Sequence, residues 1–269
     1  RPRWAAALAL IAATALNSSS NAASVVSAGS MSGDFTVGVE FDEPLDEASA
    51  TLASNYEVSG ATISSAVLHS GRIVELAVDT SVVEGFTVTV NGVNTATGTP
   101  ISGSVTGELS ELIPQDLGSP ASAGKAIFTG DSYWVAAGGN DIYGTADNGF
   151  FLYSEHTGSF DVRARVESLV EGDEWGKAGL MVRENLGGPS RNQMVLITKN
   201  GTYPPYRDGG VNVYNHQWRD AEGGSSGSLA TDNRIPPTVF PSWLRLVRET
   251  ASSQEINSFI SYDGEEWLP

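Results

Sequence analysis

The chain contains no cysteine in 269 residues. No disulfide can staple its loops, and no thiolate can act as nucleophile or metal ligand. Cations are scarce as well: 15 Lys+Arg stand against 32 Asp+Glu, a formal charge of −17 and a pI of about 4.4. A surface of that sign repels nucleic acid phosphates and anionic lipid headgroups, which argues against both as partners. The three histidines, His69, His156 and His216, are scattered and fall in no metal-ligating spacing. There is no G-x-S-x-G and no phosphate-cradling loop. Beyond the N-terminal segment no stretch is apolar enough to cross a membrane, and helical periodicity is nearly missing.

Residues 1–22, RPRWAAALALIAATALNSSSNA, have a basic start, an apolar run from Trp4 to Leu16 and a small polar tail. They read as a signal peptide cleaved after Ala22, which makes the expected address secreted, extracellular or cell-surface. The chain opens without Met and stops at DGEEWLP just after a strand-like run, so it is expected to be part of a longer protein.

After that leader, period-2 alternation broken by Gly, Asn, Asp and Ser turns predicts an all-β chain. Composition divides it. Residues 23–113 hold one basic residue, Arg72, against twelve acidic ones, whereas 114–269 hold twelve against twenty. Five of six Trp and seven of eight Tyr lie beyond 120. Two domains follow, 23–113 and 121–269, joined by a linker at 114–120 (TGELSELIPQDLGSP loses the alternation from 106 onward), or by a docking strand and then a linker.

In the first domain FTVGVEF (35–41), ATISSAVL (61–68), RIVELAV (72–78) and FTVTV (86–90) are the strands of an immunoglobulin-like sandwich. FDEPLDEASA, NYEVSG and TVTVNGVNTATGTPI resemble the bacterial Ig-like domain of S-layer and large secreted proteins, which implies a spacer or surface-layer module. In the second, GFFLYSE, SFDVRARVESL, KAGLMVRE, QMVLITKN, GVNVYNHQW and SWLRLVRET are long antiparallel strands of a jelly roll. GNDIYGTAD (139–147), WGKAGLMVRE and PSWLRLVR resemble the concanavalin A-like family named for a yeast protein of enolase regulation. That resemblance implies an all-β fold of an Ig-like sandwich followed by a concanavalin A-like jelly roll, in a secreted protein with glycoside hydrolase or adhesion neighbours.

The stretch EGDEWGKAGLMVREN (171–185) crowds Glu171, Asp173 and Glu174 about Trp175. A retaining glycosidase needs two carboxyls about 5–5.5 Å apart, one kept protonated. Here the acids sit beside Gly172 ahead of the strand, where they stay hydrated and ionised, so no catalytic residue is assigned. On the neighbouring strands Asp161, Arg163, Arg165 and Glu167, and Lys177, Met181 and Arg183, fall on faces opposite the core rows, where cross-strand ion pairs are expected. Sugar contact is assigned to aromatic side chains among amides: Trp175, Tyr203, Tyr206, Tyr214 and Trp218, near Asn215 and Gln217. Trp134 and Trp243, inside strand-like runs, are expected in the core.

No cofactor and no defined metal site is expected. Asp42, Glu43, Asp46 and Glu47, or Asp141 and Asp147, are the places for a structural calcium ion, with a plain solvated turn as the favoured alternative. The sequence therefore predicts a non-catalytic extracellular carbohydrate-binding or adhesion module whose partner is a glycan or surface protein. Two alternatives stay open: an accessory region of a multidomain glycoside hydrolase, or a self-assembling subunit of a surface layer or filament.

Overall fold

A computed structural model describes residues 4–6, 22–170, 175–198, 213–230 and 240–269. Its strands, in chain order, are β1 (Trp4–Ala6), β2 (Val25–Met31), β3 (Thr36–Phe41), β4 (Tyr56–Val58), β5 (Ile63–His69), β6 (Ile73–Val78), β7 (Thr87–Asn94), β8 (Pro100–Thr106), β9 (Glu108–Ser110) and β10 (Ile113–Leu117). They continue with β11 (Lys125–Phe128), β12 (Tyr133–Ala136), β13 (Gly149–His156), β14 (Phe160–Val166), β15 (Lys177–Arg183), β16 (Asn192–Thr198), β17 (Val213–Arg219), β18 (Gly227–Ala230), β19 (Ser242–Arg248) and β20 (Asn257–Ser261). A single four-residue helix, α1 (Glu47–Ala50), interrupts them among the described residues. The chain is all-β, as its alternation predicts.

The strands gather into two compact units that are not consecutive in sequence. One comprises Ala12–Ile113 with Lys125–Ala136; the other comprises Arg1–Ile11, Pro114–Gly124 and Ala137–Pro269. They are called the first and second unit below.

In the first unit a five-stranded sheet, order β5-β6-β3-β2-β9, and a three-stranded sheet, β4-β7-β8, enclose one core. Alternation explains it: Val37, Val39 and Phe41 of β3 and Val74, Leu76 and Val78 of β6 are buried with Val88 and Val90 of β7. Each such aliphatic side chain contributes about 1.5–3 kcal/mol by leaving water. The alternate residues Gly38, Glu40 and Glu75 lie on the other face of the sheet, and that face is covered too. The hairpin β11–β12 lies over it, so the expected domain start at 121 cuts across the observed grouping. The physical reason lies in Gly29 and Gly38, whose missing side chains make room for the hairpin: a Cβ on Gly38 would come 2.6 Å from Ile127 Cγ2, and one on Gly29 2.6 Å from Phe128 Cδ1.

In the second unit the strand order is β10-β13-β1-β15-β16-β17-β18 in one sheet and β14-β19-β20 in another. Leu180, Val182, Val195, Ile197 and Tyr214 of the larger sheet form a core with Val162, Ala164, Leu244, Leu246 and Ile260 of the smaller. Residues of opposite parity, Met181, Met194 and Leu196, join Leu117, Phe151 and Tyr153 in a separate core on the reverse face. Met181 and Arg183 were expected to face outward. Both are buried, because the segment carrying Ile142 and Leu186 packs over that face. Part of the expected linker is strand: β10 ends at Leu117, fully buried. Within the segment read as a leader, Ala5 pairs with both Glu155 and Arg183, so the backbone of Trp4–Ala6 lies between β13 and β15.

Candidate functional site

The five aromatic residues assigned to sugar contact have different fates. Tyr203 and Tyr206 lie outside the described residues, as do Glu171, Asp173 and Glu174. Tyr214 is 1% exposed; its hydroxyl hydrogen-bonds Ser242 Oγ at 2.7 Å and its ring meets Tyr262 edge-on at 6.1 Å. It is a core residue with a satisfied polar tip, which corrects its assignment as a ligand contact. Its place follows from parity, since β17 sends Tyr214, His216 and Trp218 to the face that meets the smaller sheet. Trp218 is half-buried, edge-on to His216 at 5.6 Å and seated over Gly227, where a Cβ would lie 2.5 Å from its ring. Trp175, in the turn before β15, is 42% exposed.

The second unit's polar centre is elsewhere, at Asp147. Its carboxylate accepts from Arg183 Nη1 at 3.1 Å, from Arg219 Nη2 at 2.6 Å and Nη1 at 3.0 Å, and from Asn192 Nδ2 at 2.9 Å. Both arginine side chains are fully buried and the aspartate is 1% exposed. Two guanidiniums beside one carboxylate leave a buried positive charge, and backbone carbonyls hold it: Asn185 and Gly187 for Arg183, Gly188 and Ser190 for Arg219. Burial lowers the Arg183 pKa, and the neighbouring carboxylate offsets this only in part. Both oxygens of the carboxylate are engaged by these side chains, and Asp147 fastens the GNDIYGTAD segment to β15, β16 and β17. Asp141 pairs with Lys177. This centre was missed because two strand-end arginines usually point to water, and only the matching parity of Met181 and Arg183 hinted otherwise.

On the outer face of β14-β19-β20 the expected cross-strand ion pairing is made by Asp161 and Arg245, with Arg163 joining from the aspartate's own strand. Asp161 accepts two hydrogen bonds of 2.7 Å from Arg245 and a weaker pair from Arg163. The Arg245 bonds, aided by Arg163, hold its carboxyl at about 2. Trp267 lies over this pair, 5.3 Å from the Arg163 guanidinium and 5.4 Å from that of Arg245. Trp243 is half-buried beneath Arg165, so it belongs to this face and not to the core.

In the first unit the polar chemistry gathers where the hairpin meets the sheet. Glu40 accepts from Thr129 Oγ1 at 2.8 Å and from Ser132 Oγ at 2.6 Å. Glu75, 9% exposed, joins Lys125 on one oxygen and His69 on the other, the latter at 2.9 Å. Burial pushes its pKa up, yet the hydrogen bonds from Lys125 and His69 outweigh that and hold it below the ordinary value. Trp134, expected in the core, is half-buried on this face, donating to Ser70 Oγ at 2.9 Å, with its ring tilted against His69 at 4.3 Å between centroids. Tyr133 and Ser110 share a 2.7 Å hydrogen bond.

The acidic turn has structural partners. Asp46 caps α1 by accepting from the Ser49 N–H at 2.9 Å, and Asp42 accepts from Ser24 N and Oγ, both at 2.8 Å. Among the described residues no group of three or more His, Cys, Asp or Glu side chains is placed to hold a metal. A pocket beside Arg191, Gln193, Asp220 and Gln254 encloses about 10 Å³, room for one water. A broader depression of about 480 Å³ over Ala53, Tyr56, Glu57 and Thr62 is open and shallow.

No family model matches the chain, and no curated protein does. Among solved structures, the N-terminal part of the bacterial S-layer protein SbsC is similar at 13% identity and a TM-score of 0.33, covering 79% of this chain and 44% of that one. Domains 1–6 of the same surface-layer protein give 11% and 0.34, covering 90% and 41%. The chain thus spans less than half the length of the S-layer chains it matches. Superposition this loose transfers neither architecture nor role.

Proposed function

We propose that this chain is a structural module of an extracellular, cell-surface assembly, two β units that brace and do not catalyse. The observation that carries the reading is the Asp147 centre. The buried carboxylate at the heart of the second unit is fully engaged by Arg183, Arg219 and Asn192, so it holds a scaffold together and its oxygens are closed off from solvent. Asp161 is engaged in the same manner on the outer face. The S-layer-like motifs of the first domain and the leader-like start favour the same exterior setting, with self-assembly as the mode of partnership and no resident cofactor. Light scattering and electron microscopy of the purified protein test this reading. Concentration-dependent arrays or fibres are expected; a protein that stays monomeric at every concentration sinks it.

A second reading, glycan binding, is favoured by the exposure of Trp175. It predicts retardation in polysaccharide-containing native gels that is lost in Trp175→Ala. Cleavage of a defined oligosaccharide by the purified chain would contradict both readings.

A further inference from the structure

The hairpin Lys125–Ala136 is an arm. The chain on either side of it, Pro114–Gly124 and Ala137–Pro269, belongs to the second unit, while the arm itself belongs to the first. Its base is fixed: Gly138 lies so close to Ser122 that a Cβ there would come 2.8 Å from the serine Cβ. Its tip and sides fit a socket built on the first unit's sheet. Gly29 and Gly38 clear the floor for Phe128 and Ile127, as described above. Glu40 receives both hydroxyls of the arm's turn, Glu75 receives Lys125, Ser70 and His69 receive Trp134, and Ser110 receives Tyr133. Gly29 and Gly38 have no left-handed φ to explain them. Room for the arm does.

We infer that the arm is exchanged between copies of this chain, the arm of one copy filling the socket of the next. Every contact just named is the same whether the socket belongs to the arm's own copy or to a neighbour, so exchange forfeits none of them. Reciprocal exchange closes a dimer, whereas exchange in series propagates into rings or open chains. Crowding of copies in a layer raises the effective concentration of neighbouring sockets. This inference rests on the assembly reading and supplies its joint.

The native absence of cysteine gives a direct test. Ser70→Cys, in the socket, and Val135→Cys, exposed on the arm beside Trp134, are placed in separately tagged chains, co-expressed and treated with a short bismaleimide. Exchange predicts a covalent dimer carrying both tags, falling to background when Gly38→Val fills the socket. The double variant in one chain, diluted, should cross-link within itself, which verifies the arm-in-socket geometry. Internal cross-linking without mixed dimers, where the wild type forms arrays, overturns exchange and leaves the assembly reading intact. A wild type that never assembles and gives no mixed dimer overturns both. Failure of the double variant to cross-link at all overturns the socket itself.

Discussion

Arg183 and Asp147 meet across 36 positions of sequence, Nη1 to Oδ2 at 3.1 Å, with both side chains shut off from solvent. The carboxylate cannot be removed alone without stranding charge. Asp147→Ala leaves two facing guanidiniums uncompensated, and is expected to destabilise the second unit by about 3–5 kcal/mol. A lowered urea midpoint, followed by tryptophan fluorescence, checks this; an unchanged midpoint would show that the centre does not fasten the unit.

Gly38→Val is expected to leave the first unit's core folded, because its backbone is ordinary strand and valine suits strands. The cost falls on the arm. Lys125 now sits in a paired strand; once the arm is displaced, brief trypsin treatment should cut after Lys125 much faster than in the wild type. Equal cutting rates, seen by mass spectrometry, would mean the arm does not need that space.

His216 lies between the sheets, its Nδ1 bonded to Ser258 Oγ at 2.8 Å, and burial holds its pKa below the ordinary 6.5. An unfolded chain takes up that proton below about 6.5 while the folded one does not, so stability must fall as pH drops through this value. The slope approaches ~1.4 kcal/mol per pH unit until the folded imidazole also protonates. Measured as wild type minus His216→Gln, the difference in stability should be constant above neutrality and fall on acidification. A flat difference refutes it.

Tyr214 and Trp175 separate packing from recognition. Tyr214→Phe removes a hydroxyl that serves the core, and should cost about 1 kcal/mol while leaving any polysaccharide retardation untouched. Trp175→Ala should do the reverse. Loss of retardation in Tyr214→Phe with full stability would restore that tyrosine to the binding face.

Much of the fold was legible because a period of two is a local property. The row Val37, Val39, Phe41 and the row Leu180, Val182 lie where their parity puts them. What parity cannot tell is whether the reverse face meets water or more protein. Met181 and Arg183 took the second course, and so did Gly38 and Glu40. Tyr214 shows the same blindness from the other side: an aromatic among amides looks like a sugar platform until a partner such as Ser242, 28 positions on, claims its hydroxyl. The arm was invisible for a related reason. Nothing in Lys125–Ala136 names the glycines, Gly38 and Gly29, about ninety and a hundred positions upstream, that receive it.

The order of the units along the chain bears on how such a protein can be inherited. A gene cut between codons 113 and 121, the natural seam by composition, would deliver a front half with a bare glycine floor and a back half carrying an orphaned plug. Recombination at that seam would part the plug from the floor that receives it.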